Sequence, residues 1–194
     1  MSNIIPGYTP LKQADFSIIN QSSATVTDYT NGVYLTAPTA SSNFNCTLLV
    51  KAAPTAPYAF TAHMKRFGPD GDQCYGIVVR NSSSQYFTAF TVWENSSGAM
   101  SENYHIDQYY SPTNRYAIAA GAANVAYAPE WWRIVDNNTN RYYQYSRDGI
   151  NWFSLYNEAR TTFVTPNQIG FFVCPYNTTS AILVDHFRAE YSDG

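Results

Sequence analysis

Along most of this chain apolar and polar residues alternate with a period of two, the mark of strands with one buried and one wet face. The clearest stretch is Trp131–Trp152, WWRIVDNNTNRYYQYSRDGINW. It reads as strand, turn, strand, turn, strand. Asn137-Asn138-Thr139-Asn140 makes the first turn and Asp148-Gly149 a two-residue second turn, because Asn, Asp and Gly tolerate positive φ. The first loop pairs Ile134 with Tyr143 and Trp132 with Tyr145. One face is then apolar. The other carries Trp131, Arg133, Tyr142 and Gln144, rings with hydrogen-bonding groups between them.

Further strands are predicted at Asp15–Asn20, Ala24–Tyr29, Val33–Ala37, Asn45–Lys51, Thr55–Arg66, Gln73–Arg80, Gln85–Glu94, Glu102–Tyr110, Gln168–Cys174 and Ala181–Tyr191. The serine-rich turn Asn81–Ser84 places Val79 by Tyr86, Ile77 by Thr88 and Tyr75 by Phe90. Within Glu102–Tyr110, Tyr104 and Ile106 alternate against His105 and Asp107. Tyr116–Ala126 is rich in small residues and reads as a short helix or a tightly packed strand, with Gly121 weakening the helix. Asn157–Thr162 reads as a loop, and Pro166 and Pro175 fall outside their ladders. Residues 1–14, broken by Pro6-Gly7 and Pro10, read as an arm ahead of a single domain, 15–194. Short strands at regular spacing, without a helical period, predict an all-β fold: an antiparallel two-sheet β-sandwich of jelly-roll type.

Composition narrows the function. Charged residues are 13% of the chain, roughly half the usual share, while aromatics reach 16%, with 17 tyrosines. Such a surface is neutral and rich in hydrogen-bonding groups, as binding surfaces are; proteins packed into larger assemblies share the bias. The net charge is −3 with no basic stripe, which leaves phosphate-backbone binding without its driving force and excludes nucleic acid as a partner. The N-terminus lacks a basic start followed by an apolar run, so no signal peptide is expected. No apolar run reaches about 18 residues, so no membrane insertion is expected. The sequons at Asn20, Asn45, Asn81, Asn95, Asn137 and Asn177 read as chance matches in a chain this rich in Asn, Ser and Thr. Cys46, Cys74 and Cys174 have no metal-site spacing and read as small buried apolar residues; a Cys46–Cys74 or Cys74–Cys174 bridge is the alternative.

Four runs carry a resemblance: Trp132-Arg133-Ile134-Val135; Tyr143-Gln144-Tyr145-Ser146-Arg147-Asp148-Gly149-Ile150-Asn151-Trp152; Gln168-Ile169-Gly170-Phe171; and Ala181-Ile182-Leu183-Val184-Asp185-His186-Phe187. In this order they resemble the concanavalin A-like lectin/glucanase superfamily, nearest to the accessory sandwich modules that follow some bacterial glycosidases. Gly76-Ile77-Val78-Val79-Arg80 fits that family's central sheet. The resemblance covers residues 55–191 and implies a two-sheet jelly roll with a concave face. Ser146, Asp148, Gly149 and Trp152 read as holding the fold, with the Trp152 indole folded over its hairpin.

Catalytic signatures are missing. Laminarinase-type members of the resembled superfamily carry E-x-D-x-x-E on one strand, and here no Glu has Asp two positions on. There is no G-x-S-x-G and no phosphate-binding glycine loop. His63, His105 and His186 are isolated in sequence, and Asp185 and His186, as neighbours in a strand, should face opposite ways. Asp70 and Asp72 offer two of the six or more oxygens that Ca²⁺ needs, or are a solvated turn; no other cofactor is expected.

The sequence therefore predicts a non-catalytic structural or attachment protein of a bacteriophage virion, of tail, fibre or capsid-decoration type. Its lectin-like sandwich would bind host surface polysaccharide through Trp131, Arg133, Tyr142 and Gln144, with Trp93 and Tyr104 as further candidates. The arm would dock on other virion subunits, in a possible homo-oligomer, with the chain at the virion surface. The alternatives are a stand-alone carbohydrate-binding module, placed in the bacterial cytoplasm or exported by a non-classical route, and a jelly-roll glycosidase or polysaccharide lyase.

Overall fold

The computed structural model of the chain describes residues 10–40, 44–69, 71–94, 102–125 and 129–191. They form two antiparallel seven-stranded sheets. In sheet 1 the order is β1 (Ser17–Ile19), β4 (Thr47–Ala52), β13 (Gln168–Pro175), β6 (Gln73–Arg80), β7 (Phe87–Glu94), β8 (Glu102–Ser111) and β9 (Asn114–Val125). In sheet 2 it is β12 (Phe153–Ala159), β11 (Asn140–Ser146), β10 (Trp131–Asp136), β5 (Tyr58–Arg66), β14 (Ser180–Tyr191), β3 (Gly32–Ala37) and β2 (Thr25–Tyr29). The predicted antiparallel sandwich is thus the observed fold.

The two sheets differ in how their sequence pattern meets water. Sheet 2 alternates. On β5, Tyr58, Phe60, Ala62 and Met64 enter the core while Ala59, Thr61 and His63 face out. On β10, Trp132 and Ile134 enter and Trp131, Arg133 and Val135 face out. The core between the sheets closes on Trp132, whose ring meets Phe90 of sheet 1 edge to face at 4.9 Å. Phe16 seals one side, edge to face on Phe171 of sheet 1 at 5.1 Å and on Phe187 of sheet 2 at 5.5 Å.

Sheet 1 does not alternate. Every residue of β6 is buried, and nearly all of β7 and β13. Runs this apolar belong to strands covered on both faces. The outer face carries a second apolar cluster of Leu48, Val50, Val78, Phe87, Tyr109 and Phe172 with all three cysteines. Cys46, just ahead of β4, donates its N–H to the Pro112 carbonyl in the β8–β9 turn, 2.9 Å away. The sheet thus curls so that its far hairpin meets a strand near its opposite edge, with the outer face inside the curl. The thiols are free, and the Cys174 thiol lies against both others. Burial pushes all three up, which keeps them protonated and unreactive.

Several details depart from the sequence reading. The β6–β7 register is Val79↔Thr88, Ile77↔Phe90 and Tyr75↔Val92, two residues from the predicted pairing. The cause is a longer turn. Asn81 accepts from the Ser83 and Ser84 amides through Oδ1, and its own N–H reaches the Tyr86 carbonyl. A slip of two preserves the faces, so the apolar pattern could not reveal it. The Asn114–Val125 segment is a strand. Asn157–Ala159, expected in a loop, completes β12, and Pro175 is the last paired residue of β13, opposite Gln73. Of the predicted arm, residues 1–9 lie outside the described residues. Leu11 packs on the core, and the Gln13 amide donates to the Asp28 carboxylate at 2.7 Å.

Candidate functional site

The four candidates of the Trp131–Trp152 unit lie together on the outer face of sheet 2, in the predicted register, with Arg133 opposite Gln144. Arg133 and Gln144, however, are engaged with each other and with the fold. Arg133 Nε donates to Gln144 Oε1 at 2.8 Å, and the Arg133 guanidinium stacks under Trp152, 4.1 Å from its ring centroid. The Trp131 indole covers Gly149, whose φ of +73° suits glycine and where a β-carbon would fall 3.0 Å from the indole. That turn spans Ser146–Trp152 rather than two residues. Asp148 binds the Ile150 and Asn151 amides and the Asn151 side chain, which hold its carboxyl well below the usual carboxylate range. Tyr142 is half-buried on the same face. Tyr104 is not on a surface at all: it points between the sheets, 3% exposed, against Tyr145.

A β-bulge changes the histidine picture. The β14–β5 register shifts between Val184 and His186. The extra residue, Asp185, thereby shares a side with His186, where strict alternation had put them on opposite faces. Asp185 Oδ1 meets His63 Nδ1 at 2.5 Å, Glu130 meets His63 Nε2 at 3.1 Å, and Trp131 lies against both histidine rings. Bonding to Asp185 above all, with Glu130 adding to it, raises the His63 pKa; burial lowers that of His186, and Lys65 sits 3.8 Å from Glu130. A histidine whose folded pKa exceeds its unfolded value stabilises fully below the unfolded value and loses that contribution as pH rises through the folded one. The melting-temperature gap between wild type and His63→Gln is therefore expected to be wider at pH 5.5 than at pH 8.5. An equal gap at both pH values would show that the cluster carries no charge-linked stability.

The outer face of sheet 1 holds a different arrangement. On β8, Asn103, His105, Asp107 and Tyr109 stand at successive alternate positions, opposite Trp93, Thr91, Ala89 and Phe87 of β7. From β9, Arg115 places its Nη2 2.7 Å from Asp107 Oδ1. Asp107 is wholly buried, and burial pushes its carboxyl up to about 6 even though the Arg115 guanidinium pulls the other way. His105 Nδ1 lies 3.8 Å from the same carboxylate oxygen, and burial together with Arg115 lowers its pKa. Above this floor Phe44, Trp93 and Tyr176 form a triangle of rings 5.6–5.9 Å apart, with the Arg115 guanidinium 5.3 Å from Phe44 and 5.8 Å from Trp93.

This face also holds unmet hydrogen-bonding capacity, as the interior around Tyr58, Trp132, Arg141 and Glu158 does. Asp107 Oδ2, His105 Nδ1 and Arg115 Nε are buried without a hydrogen-bond partner among the described residues, and the Tyr109 hydroxyl lies against the Cys46 thiol. An unpaired buried polar atom costs about 1–3 kcal/mol, so three on one face is an expensive grouping unless water or a ligand reaches them. Only Trp93 of this set was a sequence candidate. A signal for His105, Asp107 and Tyr109 was present: N-x-H-x-D-x-Y at 103–109 puts four polar residues on one side of a strand, alternating with Tyr104 and Ile106.

For the calcium candidates, Asp70 lies outside the described residues. Asp72 is joined to Asn177, which donates Nδ2 to its carboxylate at 2.7 Å and its amide to the Asp72 carbonyl. Among the described residues no group of three or more His, Cys, Asp or Glu side chains is placed to hold a metal.

No family model matches the sequence, and no curated protein matches it. Solved structures do match in shape. A protein of unknown function from Saccharomyces cerevisiae superposes with a TM-score of 0.68 at 11% identity, over 95% of this chain and 100% of the other. The fold is a concanavalin A-like sandwich. The exoplasmic/lumenal domain of VIP36, in its form bound to Ca²⁺ and Man3GlcNAc, superposes with a TM-score of 0.60 at 10% identity, over 92% and 84% of the two chains. A Bacteroides ovatus GH16 protein of a mixed-linkage-glucan locus, in complex with a G4G4G3G product, gives 0.56 at 11% identity, over 93% and 96%. At these identities the likeness concerns the fold.

Proposed function

We propose that this protein is a non-catalytic glycan-binding sandwich whose sugar site is the curled outer face of sheet 1, around Trp93, His105, Asp107 and Arg115. The observation that carries the proposal is the set of unpaired buried polar atoms beneath a rim of aromatic rings. Rings stack on the C–H faces of pyranoses, and a carboxyl, a guanidinium and an imidazole bind their hydroxyls. The sugar-bound VIP36 domain and the product-bound GH16 protein, which share the fold, support a carbohydrate over other ligands. Among the described side chains Asp107 is the only Asp or Glu on this face, so the carboxylate pair of a glycosidase lacks its second member. That supports binding over hydrolysis.

The test is a glycan array followed by calorimetric titration of the best sugar. Trp93→Ala is expected to weaken binding about tenfold or more, an energy of about 1.4 kcal/mol, with Tyr142→Ala on sheet 2 unchanged. An array on which nothing binds removes the proposal. Loss on Tyr142→Ala with Trp93→Ala unaffected moves the site to sheet 2.

For the setting we propose the surface of a virus particle, where a sugar site would hold the host. Its support is compositional: few charges and abundant Tyr, Asn, Ser and Thr. Purified particles containing the chain in fixed stoichiometry would support the setting, and their lack of it would leave the stand-alone binding module.

A further inference from the structure

A second aromatic group lies outside the face just described. Tyr86, Tyr110, Tyr116 and Phe163 meet where β7 begins, β8 ends, β9 begins and the β12–β13 connection passes. Phe163 is parallel to Tyr86 at 5.4 Å and to Tyr116 at 5.5 Å, while Tyr110 lies 4.7 Å from Tyr116 and 5.0 Å from Tyr86. Tyr116 is 55% and Tyr110 36% exposed.

Each ring stands at a backbone irregularity. Phe163 has a φ of +58°, a true outlier for a bulky side chain. Tyr86 follows Gln85, with φ of +66°. Tyr116 is the extra residue where the register passes from Gln108↔Ala117 to Tyr109↔Arg115, and Tyr110 the extra residue before Ser111↔Asn114. The Phe163 loop is fastened on both sides, since the buried Arg141 donates to the carbonyls of Arg160 and Val164. Strain and bulges of this kind persist where they aim side chains for a task.

The occupant follows from chemistry and area. The four members are uncharged phenols and a phenyl ring, which suit a neutral ligand with flat C–H faces and hydroxyls. A tyrosine ring spans about 150–250 Å², so the exposed parts of Tyr110 and Tyr116, even with half-exposed Ile118, amount to roughly 300 Å². A stable protein interface needs about 800 Å² per partner. We infer that Tyr110 and Tyr116, braced by Phe163 and Tyr86, form a second sugar-binding surface for neutral pyranose rings, separate from the Trp93 face and independent of it.

The test is native affinity electrophoresis in gels containing hydroxyethyl cellulose, a soluble neutral β-glucan. Tyr116→Ala is expected to lose at least fivefold of the wild-type retardation, whereas Tyr116→Phe, which keeps the ring, retains most of it. Trp93→Ala leaves the Tyr116-dependent share in place. Protection of Tyr110 and Tyr116 from iodination by the same polysaccharide is the second expected result. Three outcomes would overturn the inference: a wild-type protein that the gel does not retard, a Tyr116→Ala variant retarded like wild type, or a concentration-dependent doubling of mass that Tyr116→Ala abolishes, which would make the patch a contact between copies. Failure at Tyr116 with loss at Trp93 leaves the first site standing, and the reverse leaves only the second.

Discussion

Gly170→Ala is expected to prevent the chain from folding. Gly170 lies in β13, between β4 and β6, and a β-carbon there would fall 1.9 Å from the Leu49 carbonyl oxygen and 2.9 Å from the Val50 α-carbon. Both are backbone atoms of the neighbouring strand, so no rotamer change relieves the clash. The β4–β13 ladder would have to part at its centre. Ordinary overpacking costs about 1–3 kcal/mol; forcing two strands apart in a buried sheet costs more, against a total stability of about 5–15 kcal/mol. The measurement is the near-ultraviolet circular dichroism and solubility of the purified variant. A soluble variant melting within a few degrees of wild type would mean that β13 is set differently against β4.

Arg141→Ala should lower the unfolding free energy by about 3–5 kcal/mol in urea titration, the range for stranding one member of a buried ion pair. Arg141 is fully buried in the core. It sits 3.6 Å from Glu158, which accepts from Tyr143 Oη at 2.6 Å, and it holds two carbonyls of the β12–β13 connection. Removing it strands Glu158, whose pKa burial already raises. Adding Glu158→Gln should restore part of the loss, because a neutral amide is cheaper to keep buried than an unpaired carboxylate. If the double variant is as unstable as Arg141→Ala, or more so, the cost lies in the carbonyl bonds rather than in the stranded charge. Iodination of Tyr116 in Arg141→Ala would report whether the Phe163 brace has loosened.

The alternation in Tyr58–Arg66 and Trp131–Asp136 made sheet 2 legible, down to the pairing of Ile134 with Tyr143, because a four-residue Asn-rich loop leaves one register. Sheet 1 was legible as strands but not as to its faces. The uninterrupted apolar runs at 73–80, 87–94 and 168–175 mean cover on both sides, and what covers them comes from a strand opening at Cys46 and a turn at Pro112, distant in sequence. The site followed the same rule. Trp131, Arg133 and Gln144 stood out because they are unusual residues in a regular pattern, yet their partners, Gly149 and Trp152, use them locally. Asp107 stands in a polar alternation that the sequence does show, but its pairing with Arg115 and their burial follow only from the bulged β8–β9 hairpin and the curl of the sheet. The meeting of His63, Asp185 and His186 depends on one inserted residue, which no periodicity announces.

The last of the described strands, β14, is not an edge; it lies between β5 and β3 in the middle of sheet 2. On a ribosome, β2 and β3 must therefore wait, unable to join β5, until residues near 191 emerge. Assembly of this molecule is committed late and through distant contacts, which makes for slow folding. Until then the core-facing sides of β3 and β5 stay open to chaperones.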